Sequence, residues 1–243
     1  MAEMIKLAGN NLDAYLAKPS NNIKGAVIVI HEVWGLDEHI KSVADRLAME
    51  GYIALAPELL ADTLDLDSLR GMKVDLFDPD KRNQVQPMLR QHMTPMQNPE
   101  FAKQTIANLE SCFDYLYDLP EAQSKVAVMG FCFGGTYSFN LAVDQPKLKA
   151  AIVFYGHADQ SVDELKRINC PIQAFYGEQD ESLVSNLDNL KQKMAEAKVN
   201  FKAKVYPNCG HAFFNDTNKF AYNQAAANDA WQITLASLDE NLS

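Results

Sequence analysis

Short, continuous apolar runs alternate along this chain with segments whose apolar side chains recur at helical spacing. The run Gly25–Ile30 contains no polar side chain, as expected for a strand that is covered on both faces of a sheet. The next segment places Ile40, Val43 and Leu47 on one helical face. The alternation continues to the end of the chain, and it predicts a mostly parallel sheet with helices on both faces.

The predicted elements follow one another in the order of an α/β fold. Residues 2–19 are predicted to form a hairpin with Asn10 and Asn11 at its turn. The later strands are predicted at 25–30, 52–56, 126–129, 150–155, 172–176 and 201–206. The helices are predicted at 40–49, 101–116, from just after residue 132 to about 143, 162–168, 183–197 and 221–238.

Residues 59–99 interrupt the alternation with four prolines and a polar stretch. A segment this long between a strand and a helix is either functional or a solvated excursion. We expect helical and loop material that arches over the active-site end as a cap or lid, with an excursion without function as the alternative. The chain, 1–243, is otherwise expected to be a single domain, because α/β folds commonly reach this size.

Residues 130–134 read Gly-Phe-Cys-Phe-Gly, directly after the predicted strand 126–129. A buried strand that ends in Gly-x-nucleophile-x-Gly before a helix is typical of the nucleophile elbow of α/β-hydrolases. The turn is so tight that a Cβ two residues from the nucleophile would clash. The predicted nucleophile is the thiol of Cys132, at a helix N-terminus that favours a thiolate. The alternative is a buried structural cysteine in a glycine-rich turn.

A thiol nucleophile requires a base, and the base requires an orienting acid. In α/β-hydrolases the chain order is nucleophile, acid, base. Cys132, Asp180 and His211 occur in that order, and each follows the end of a predicted strand. Because ligands bind beyond the carboxyl ends of strands in open α/β folds, the three are predicted to meet in one site.

Each partner of the thiol has competitors. His157 and Asp159 follow the strand 150–155, but they violate the chain order. Asp180 has local rivals in Glu178 and Glu181. The remaining histidines of interest, His39 and His92, are expected at the surface.

An oxyanion hole requires two backbone N–H donors. The residue after the nucleophile, Phe133, is predicted to supply one of them. The other is predicted to come from the loop after the strand 25–30, where residues 31–35 read His-Glu-Val-Trp-Gly.

Five motifs together resemble the dienelactone hydrolase family. They are residues 31–35, Ala-Pro-Glu at 56–58, Gly-Phe-Cys-Phe-Gly-Gly at 130–135, Tyr-Gly-Glu-Gln-Asp at 176–180 and Gly-His at 210–211. The resemblance implies an α/β-hydrolase fold, a triad of Cys132, Asp180 and His211, and hydrolysis of lactones or esters without a cofactor. It also implies that Glu32 contacts the thiol and that Val33 is the second oxyanion donor. Alternatively, Glu32 only anchors its loop through backbone hydrogen bonds.

One departure from the family concerns the substrate. Members that act on dienelactone carry an arginine a few residues after the catalytic histidine, whereas residues 212–216 of this chain include no cation. Arg82 and Arg90 are candidates for a second substrate-binding arginine, which the family takes from the region of residues 60–99. The hydrolase chemistry is therefore expected to carry over better than the dienelactone substrate.

Composition narrows the possible partners and location. The net charge of −10 argues against nucleic acid, whose phosphates would be repelled, and no apolar run approaches the length of a membrane span. The N-terminus has no signal-peptide pattern. The four cysteines are scattered, without a Cys-x-x-Cys pair, so we expect free thiols in a reducing cytoplasm and no metal site. The expected partner is a small-molecule ester or lactone.

Besides hydrolysis of a small ester or lactone, the sequence is compatible with a second and a third function. A thioesterase or general carboxylesterase would use an apolar acyl pocket, for which the chain offers Trp34, Phe131, Phe133, Phe213 and Phe214. The third possibility is a non-catalytic binding protein on a hydrolase scaffold, because a fold does not fix a function.

Overall fold

All eight strands belong to one sheet in the computed structural model, which describes residues 1–8 and 10–242. The order across the sheet is β1-β2-β4-β3-β5-β6-β7-β8. The first two strands pair antiparallel, and all pairs from β4 to β8 are parallel, which confirms the predicted mostly parallel sheet. The strands are β1 (Ala2–Leu7), β2 (Leu12–Ala17), β3 (Gly25–Ile30), β4 (Tyr52–Pro57), β5 (Val126–Phe131), β6 (Ala151–Phe154), β7 (Ile172–Gly177) and β8 (Phe201–Tyr206).

The helices differ from the predicted ones mainly in their ends. The predicted helix 183–197 is divided in two at Ser185 and Asn186, which are poor helix formers. The last helix begins after Asn223 rather than at 221, because the Asn223 side chain accepts a hydrogen bond from the N–H of Ala226. The helices are α1 (Glu38–Met49), α2 (Leu66–Phe77), α3 (Pro79–His92), α4 (Pro99–Tyr117), α5 (Phe133–Asp144), α6 (Val162–Leu165), α7 (Glu181–Val184), α8 (Leu187–Glu196) and α9 (Gln224–Leu242).

Both faces of the sheet are buried, which explains the continuous apolar runs. Alternate residues of β3 point to opposite faces. On one face Val27 and Val29 belong to the apolar cluster formed with α1 and α9. On the other face Ile28 and Ile30 belong to the cluster formed with α4, α5 and α8. No helix within the described residues is both long and apolar enough to span a bilayer.

Residues 59–99 form what we call the cap segment, which consists of α2, α3, a short 3₁₀ turn and connecting loops. Both helices begin at an aspartate N-cap, since Asp65 accepts from the N–H of Ser68 and Asp78 from that of Asp80. Side chains from α2 and α3 line the same cavity as Cys132 and His211. The cap segment therefore borders this cavity, and its movement as a lid stays a prediction.

Candidate active site

Cys132 lies at the sharp turn between β5 and α5. Its backbone has φ 55° and ψ −111°, which is costly for a residue with a side chain. A Cβ on Gly130 would lie 2.0 Å from the Gly134 carbonyl oxygen, and one on Gly134 would lie 2.2 Å from the Ile30 oxygen. Glycine is therefore required on both sides of the thiol, which agrees with the elbow geometry.

His211 and Asp180 meet beside Cys132. The Nδ1 atom of His211 lies 2.5 Å from Oδ2 of Asp180, so Nε2 is the ring nitrogen left for the thiol. Burial lowers the pKa of His211, but the negative charge of Cys132 and hydrogen bonds with Asp180 and Cys132 outweigh it, and the pKa lies well above its ordinary value. The arrangement favours a protonated imidazole beside Cys132.

Asp180 is buried at the start of α7 and stays ionised despite its surroundings. Burial raises the pKa of Asp180. Hydrogen bonds from His211 and Ser182, with the charges of His211 and Arg82, lower this pKa by more than burial raises it, so the net shift is downward. The hydroxyl of Ser182 donates to Oδ1 at 3.0 Å, which leaves Oδ2 for the imidazole.

The competitors lie elsewhere. His157 is exposed and bonds to Thr136 and Asp159 rather than lining the cavity of Cys132. Glu178 is also exposed and accepts the N–H of Asn208, while Glu181 is exposed in the first turn of α7. The geometry therefore singles out Asp180 and His211 from the residues that sequence left as alternatives.

Glu32 is buried at the edge of the cavity and holds two hydrogen bonds through its carboxylate. Tyr155 donates to Oε1 at 3.3 Å, and Asn215 donates through Nδ2 to Oε2 at 2.6 Å. The amide of Asn215 is fixed in this orientation because its Oδ1 accepts from both the N–H and the hydroxyl of Thr217. Both partners of the carboxylate are thus neutral donors.

Tyr155 is the buried donor to Oε1 of Glu32. Burial raises its pKa, and the charges of Glu32 and Cys132 raise it further, so Tyr155 remains a protonated donor. Its ring centroid lies 4.9 Å from that of His211. Tyr155 and Asn215 could not be predicted from any local signal in the sequence, because they are 123 and 183 positions from Glu32.

Val33 and Phe133 are the two expected backbone donors. Val33 lines the cavity, and Phe133 opens α5 directly after the thiol. In the part of the chain that the structure describes, neither N–H donates a hydrogen bond to another protein group. Both are available to a bound ligand.

The cavity has a volume of about 650 Å³ and an apolar wall supplied by the cap segment. Of the five aromatic residues considered for an acyl pocket, only Trp34 lines it, whereas the other four, Phe131, Phe133, Phe213 and Phe214, are buried in the core. Among the two arginine candidates, Arg82 lines the cavity and Arg90 does not. The apolar residues that the cap segment contributes to the wall are Leu76, Phe77, Leu89 and Met93.

The expectation that His39 and His92 lie at the surface was wrong for His39. His39 is only 3% exposed, and its Nδ1 lies 3.0 Å from Oδ1 of Asp216. The helical spacing of the sequence could have predicted this burial, since His39, Val43 and Leu47 are four residues apart and share the buried face of α1. His92 is half-buried and bonds to the carbonyl of Met88 within α3.

A mostly parallel eight-stranded sheet with a sharp Gly-x-Cys-x-Gly turn between β5 and α5 defines the α/β-hydrolase class. Solved structures support the class. The match to the "Putative Dienelactone Hydrolase" of Klebsiella pneumoniae has a TM-score of 0.81 and 29% identity over 98% of both chains. The dienelactone hydrolase of Anabaena variabilis matches with a TM-score of 0.69 over 100% of this chain and 98% of that one, at 16% identity, which supports the fold alone.

Sequence comparison then gives the family. The model of the dienelactone hydrolase family matches residues 12–242. A protein of Saccharolobus solfataricus named "Putative carboxymethylenebutenolidase" is 36% identical over 92% of both chains. The chain belongs to the dienelactone hydrolase family, and it is a carboxylic ester hydrolase whose family implies a small-molecule ester or lactone as substrate.

Proposed function

We propose that this enzyme cleaves its ester or lactone through an acyl-enzyme on Cys132, with His211 as the base and Asp180 as the acid that orients it. The observation that carries the proposal is the 2.5 Å hydrogen bond between Asp180 and His211 beside the thiol in one cavity. A base held by a buried carboxylate next to a nucleophile at an elbow is the arrangement that acyl transfer requires.

The reaction begins when the Cys132 thiolate attacks the carbonyl carbon of the substrate. The tetrahedral intermediate collapses, the alkoxide leaves with the proton from His211, and a thioester remains on Cys132. His211 then takes a proton from water, whose oxygen attacks the thioester. Collapse releases the carboxylic acid, and the thiolate re-forms beside the protonated imidazole.

The N–H groups of Val33 and Phe133 stabilise the negative oxygen in both tetrahedral intermediates. Their availability to a ligand supports this role. One such donor typically contributes a factor of about 10²–10³ to turnover, so the position of the loop that carries Val33 matters greatly.

Glu32 acts on the charge state of the thiol. A carboxylate beside a thiol disfavours the thiolate by like-charge repulsion, and it can accept a hydrogen bond or the proton from the thiol. The hydrogen bonds from Tyr155 and Asn215 hold this carboxylate buried at the edge of the cavity. These contacts support a role beyond that of a backbone loop anchor.

The test uses 4-nitrophenyl acetate and a matched pair of histidine variants. Cys132→Ala and His211→Ala should each lose nearly all hydrolysis, whereas His157→Ala should retain it because His157 is exposed outside the cavity. Mass spectrometry of the stopped reaction should find an acetyl group on Cys132. Hydrolysis by Cys132→Ala would overturn the proposal, and hydrolysis at the buffer rate by the unmodified enzyme would favour the binding-protein alternative.

A thioesterase or general carboxylesterase is the second candidate, and the apolar wall of the cavity favours it. Trp34, Phe77 and Leu89 offer a surface for an acyl or aryl group. Thioester and oxoester substrates with the same acyl group would separate the two candidates through their kcat/KM values.

We also propose that the enzyme works in a reducing compartment such as the cytoplasm. The four cysteines, at positions 112, 132, 170 and 209, are all free thiols. Fractionation of the cells that express it tests this proposal.

A further inference from the structure

The peptide unit between Glu32 and Val33 is held from its carbonyl side. The carbonyl of Glu32 accepts hydrogen bonds from Nδ1 of His31 at 2.6 Å and from the N–H of Gly35 at 3.3 Å. The N–H of Leu59 donates to Nε2 of His31 at 3.0 Å, so Nδ1 is the ring nitrogen that can donate to this carbonyl. A peptide is planar and trans, so fixing the carbonyl also fixes the opposite direction of the Val33 N–H.

The other end of this loop is held by two charged side chains. Oε2 of Glu58 accepts the N–H of Leu36 at 2.7 Å, and Nε of Arg70 donates to the carbonyl of Trp34 at 3.0 Å. The Arg70 guanidinium also lies 3.4 Å from Oε2 of Glu58. Gly35 fits between them only because it lacks a side chain: its φ is 72°, and a Cβ would lie 2.7 Å from Glu58.

One face of α2 makes these contacts. Arg70, Lys73 and Phe77 are three and four residues apart, so they share that face. Lys73 pairs with Asp37 just beyond the loop, and the Phe77 ring meets Trp34 edge-on at 5.7 Å. Phe77 also lines the cavity, so α2 contacts both the substrate space and the loop.

We propose that Arg70 is a positioning residue for ester hydrolysis. It ties α2 of the cap segment to the Trp34 carbonyl and so directs the Val33 N–H toward the oxygen that becomes negative during the reaction. The inference rests on the proposed function, because it requires Val33 as an oxyanion donor. The oxyanion exists only in the tetrahedral stages, so loss of Arg70 lowers kcat and leaves KM nearly unchanged.

The experiment compares Arg70→Met with Lys81→Met. Lys81 forms an exposed ion pair with Asp75 of α2 and makes no contact with the loop, so its variant removes a similar charge from the cap segment. Two reactions are followed: hydrolysis of 4-nitrophenyl acetate, and alkylation of Cys132 by iodoacetamide, which displaces iodide without forming an oxyanion. The Arg70 side chain is 39% exposed, so its removal leaves no buried cavity and the variant should fold.

For Arg70→Met we expect kcat to fall at least about 10-fold, within the range of about 10²–10³ for complete loss of an oxyanion donor. KM and the alkylation rate should stay within about twofold, and Lys81→Met should match the unmodified enzyme. Arg70→Lys serves as a second variant. It keeps the charge beside Glu58 but lacks the planar fork that reaches Trp34 as well, so it should show most of the loss in kcat.

Unchanged kcat in Arg70→Met and Arg70→Lys would overturn the inference. A parallel fall in kcat and alkylation would also overturn it, because the change would then act on the thiol rather than on the oxyanion donor. Cys132→Ala is assayed alongside. Activity in that variant would refute the proposed function itself, whereas Cys132-dependent activity that ignores Arg70 would refute only the role of Arg70.

Discussion

Nδ2 of Asn215 lies 2.6 Å from Oε2 of Glu32, and both side chains are buried. The amide cannot turn around without losing the two hydrogen bonds that its Oδ1 accepts from Thr217. The carboxylate of Glu32 is therefore matched to a neutral donor whose orientation is fixed by the chain that follows His211.

Replacing that donor with a carboxylate tests the relationship. Asn215→Asp keeps the bonds to Thr217 but places two carboxyls at hydrogen-bond distance in a buried site, so one of them must hold a proton. We expect a loss of at least about 2 kcal/mol in the free energy of unfolding near pH 8. A group whose pKa is raised on folding contributes stability that is lost as the pH rises, so the loss should be smaller near pH 5.5.

Asn218→Asp is the matched control for this change. Oδ1 of Asn218 accepts the N–H groups of Phe220 and Ala221, and an aspartate can still accept both. Urea unfolding at the two pH values measures the difference. If Asn215→Asp and Asn218→Asp lost the same free energy of unfolding at both pH values, the expected repulsion between Glu32 and the new carboxylate at position 215 would be contradicted.

Glu32→Gln tests the effect of the carboxylate on the thiol. Removing a negative charge beside Cys132 should move its iodoacetamide alkylation profile to lower pH, while turnover should fall because a proton acceptor is lost. The measurement is made with the other three cysteines replaced. Superimposable profiles would leave Glu32 as a loop anchor.

Selectivity for Cys132 in such labelling has a structural basis. Burial raises the pKa of Cys112 and Cys209, and it raises that of Cys170 to about 12, so these thiols stay protonated. Cys132 is half-buried and lines the cavity. In the unmodified chain, labelling near pH 8 should therefore modify Cys132 before the other three.

Asp180→Asn should change stability in a pH-dependent way. The raised pKa of His211 contributes stability that is present below its unfolded value of 6.5 and is lost as pH rises through the folded value. The lowered pKa of Asp180 contributes stability present above its unfolded value of 3.8 and lost in acid. The pair therefore contributes most between these two values.

We expect Asp180→Asn to destabilise the protein more near pH 5.5 than near pH 9.5. The His211 side chain is 39% exposed, so solvent screening should keep the difference to about 1 kcal/mol or less. Urea unfolding of both proteins at the two pH values gives the comparison. A larger loss at the alkaline value would contradict the predicted charge state of the pair.

Neutral esters should be hydrolysed at least as well as matched lactones that carry a carboxylate. The reason is that residues 212–216 carry no cation beside His211, and Asn215 stands there as a neutral amide. The comparison is of kcat/KM for the two substrate classes. Arg82→Ala, with Arg90→Ala outside the cavity as control, should leave the value for neutral esters within about threefold. A strong preference for the carboxylate that disappears in Arg82→Ala would instead identify Arg82 as its binding group.

Local patterns in the sequence were sufficient to predict the sheet, the strand-to-helix turn at Cys132 and the chain order of the site. The apolar run 25–30 became a strand with the predicted bounds, because a strand buried on both faces leaves a local signature. Cys132, Asp180 and His211 could be placed together because parallel strands end at one edge of the sheet.

The identity of the side chains that surround those groups depends on tertiary packing. The contacts of Glu32 with Tyr155 and Asn215, and of Arg70 with Trp34, join residues far apart in the chain and leave no periodic pattern. The same holds for the choice of Arg82 over Arg90 at the cavity. Local spacing records which face of an element is buried, whereas the partner across the interface depends on how separate elements pack, and that information is not local in the sequence.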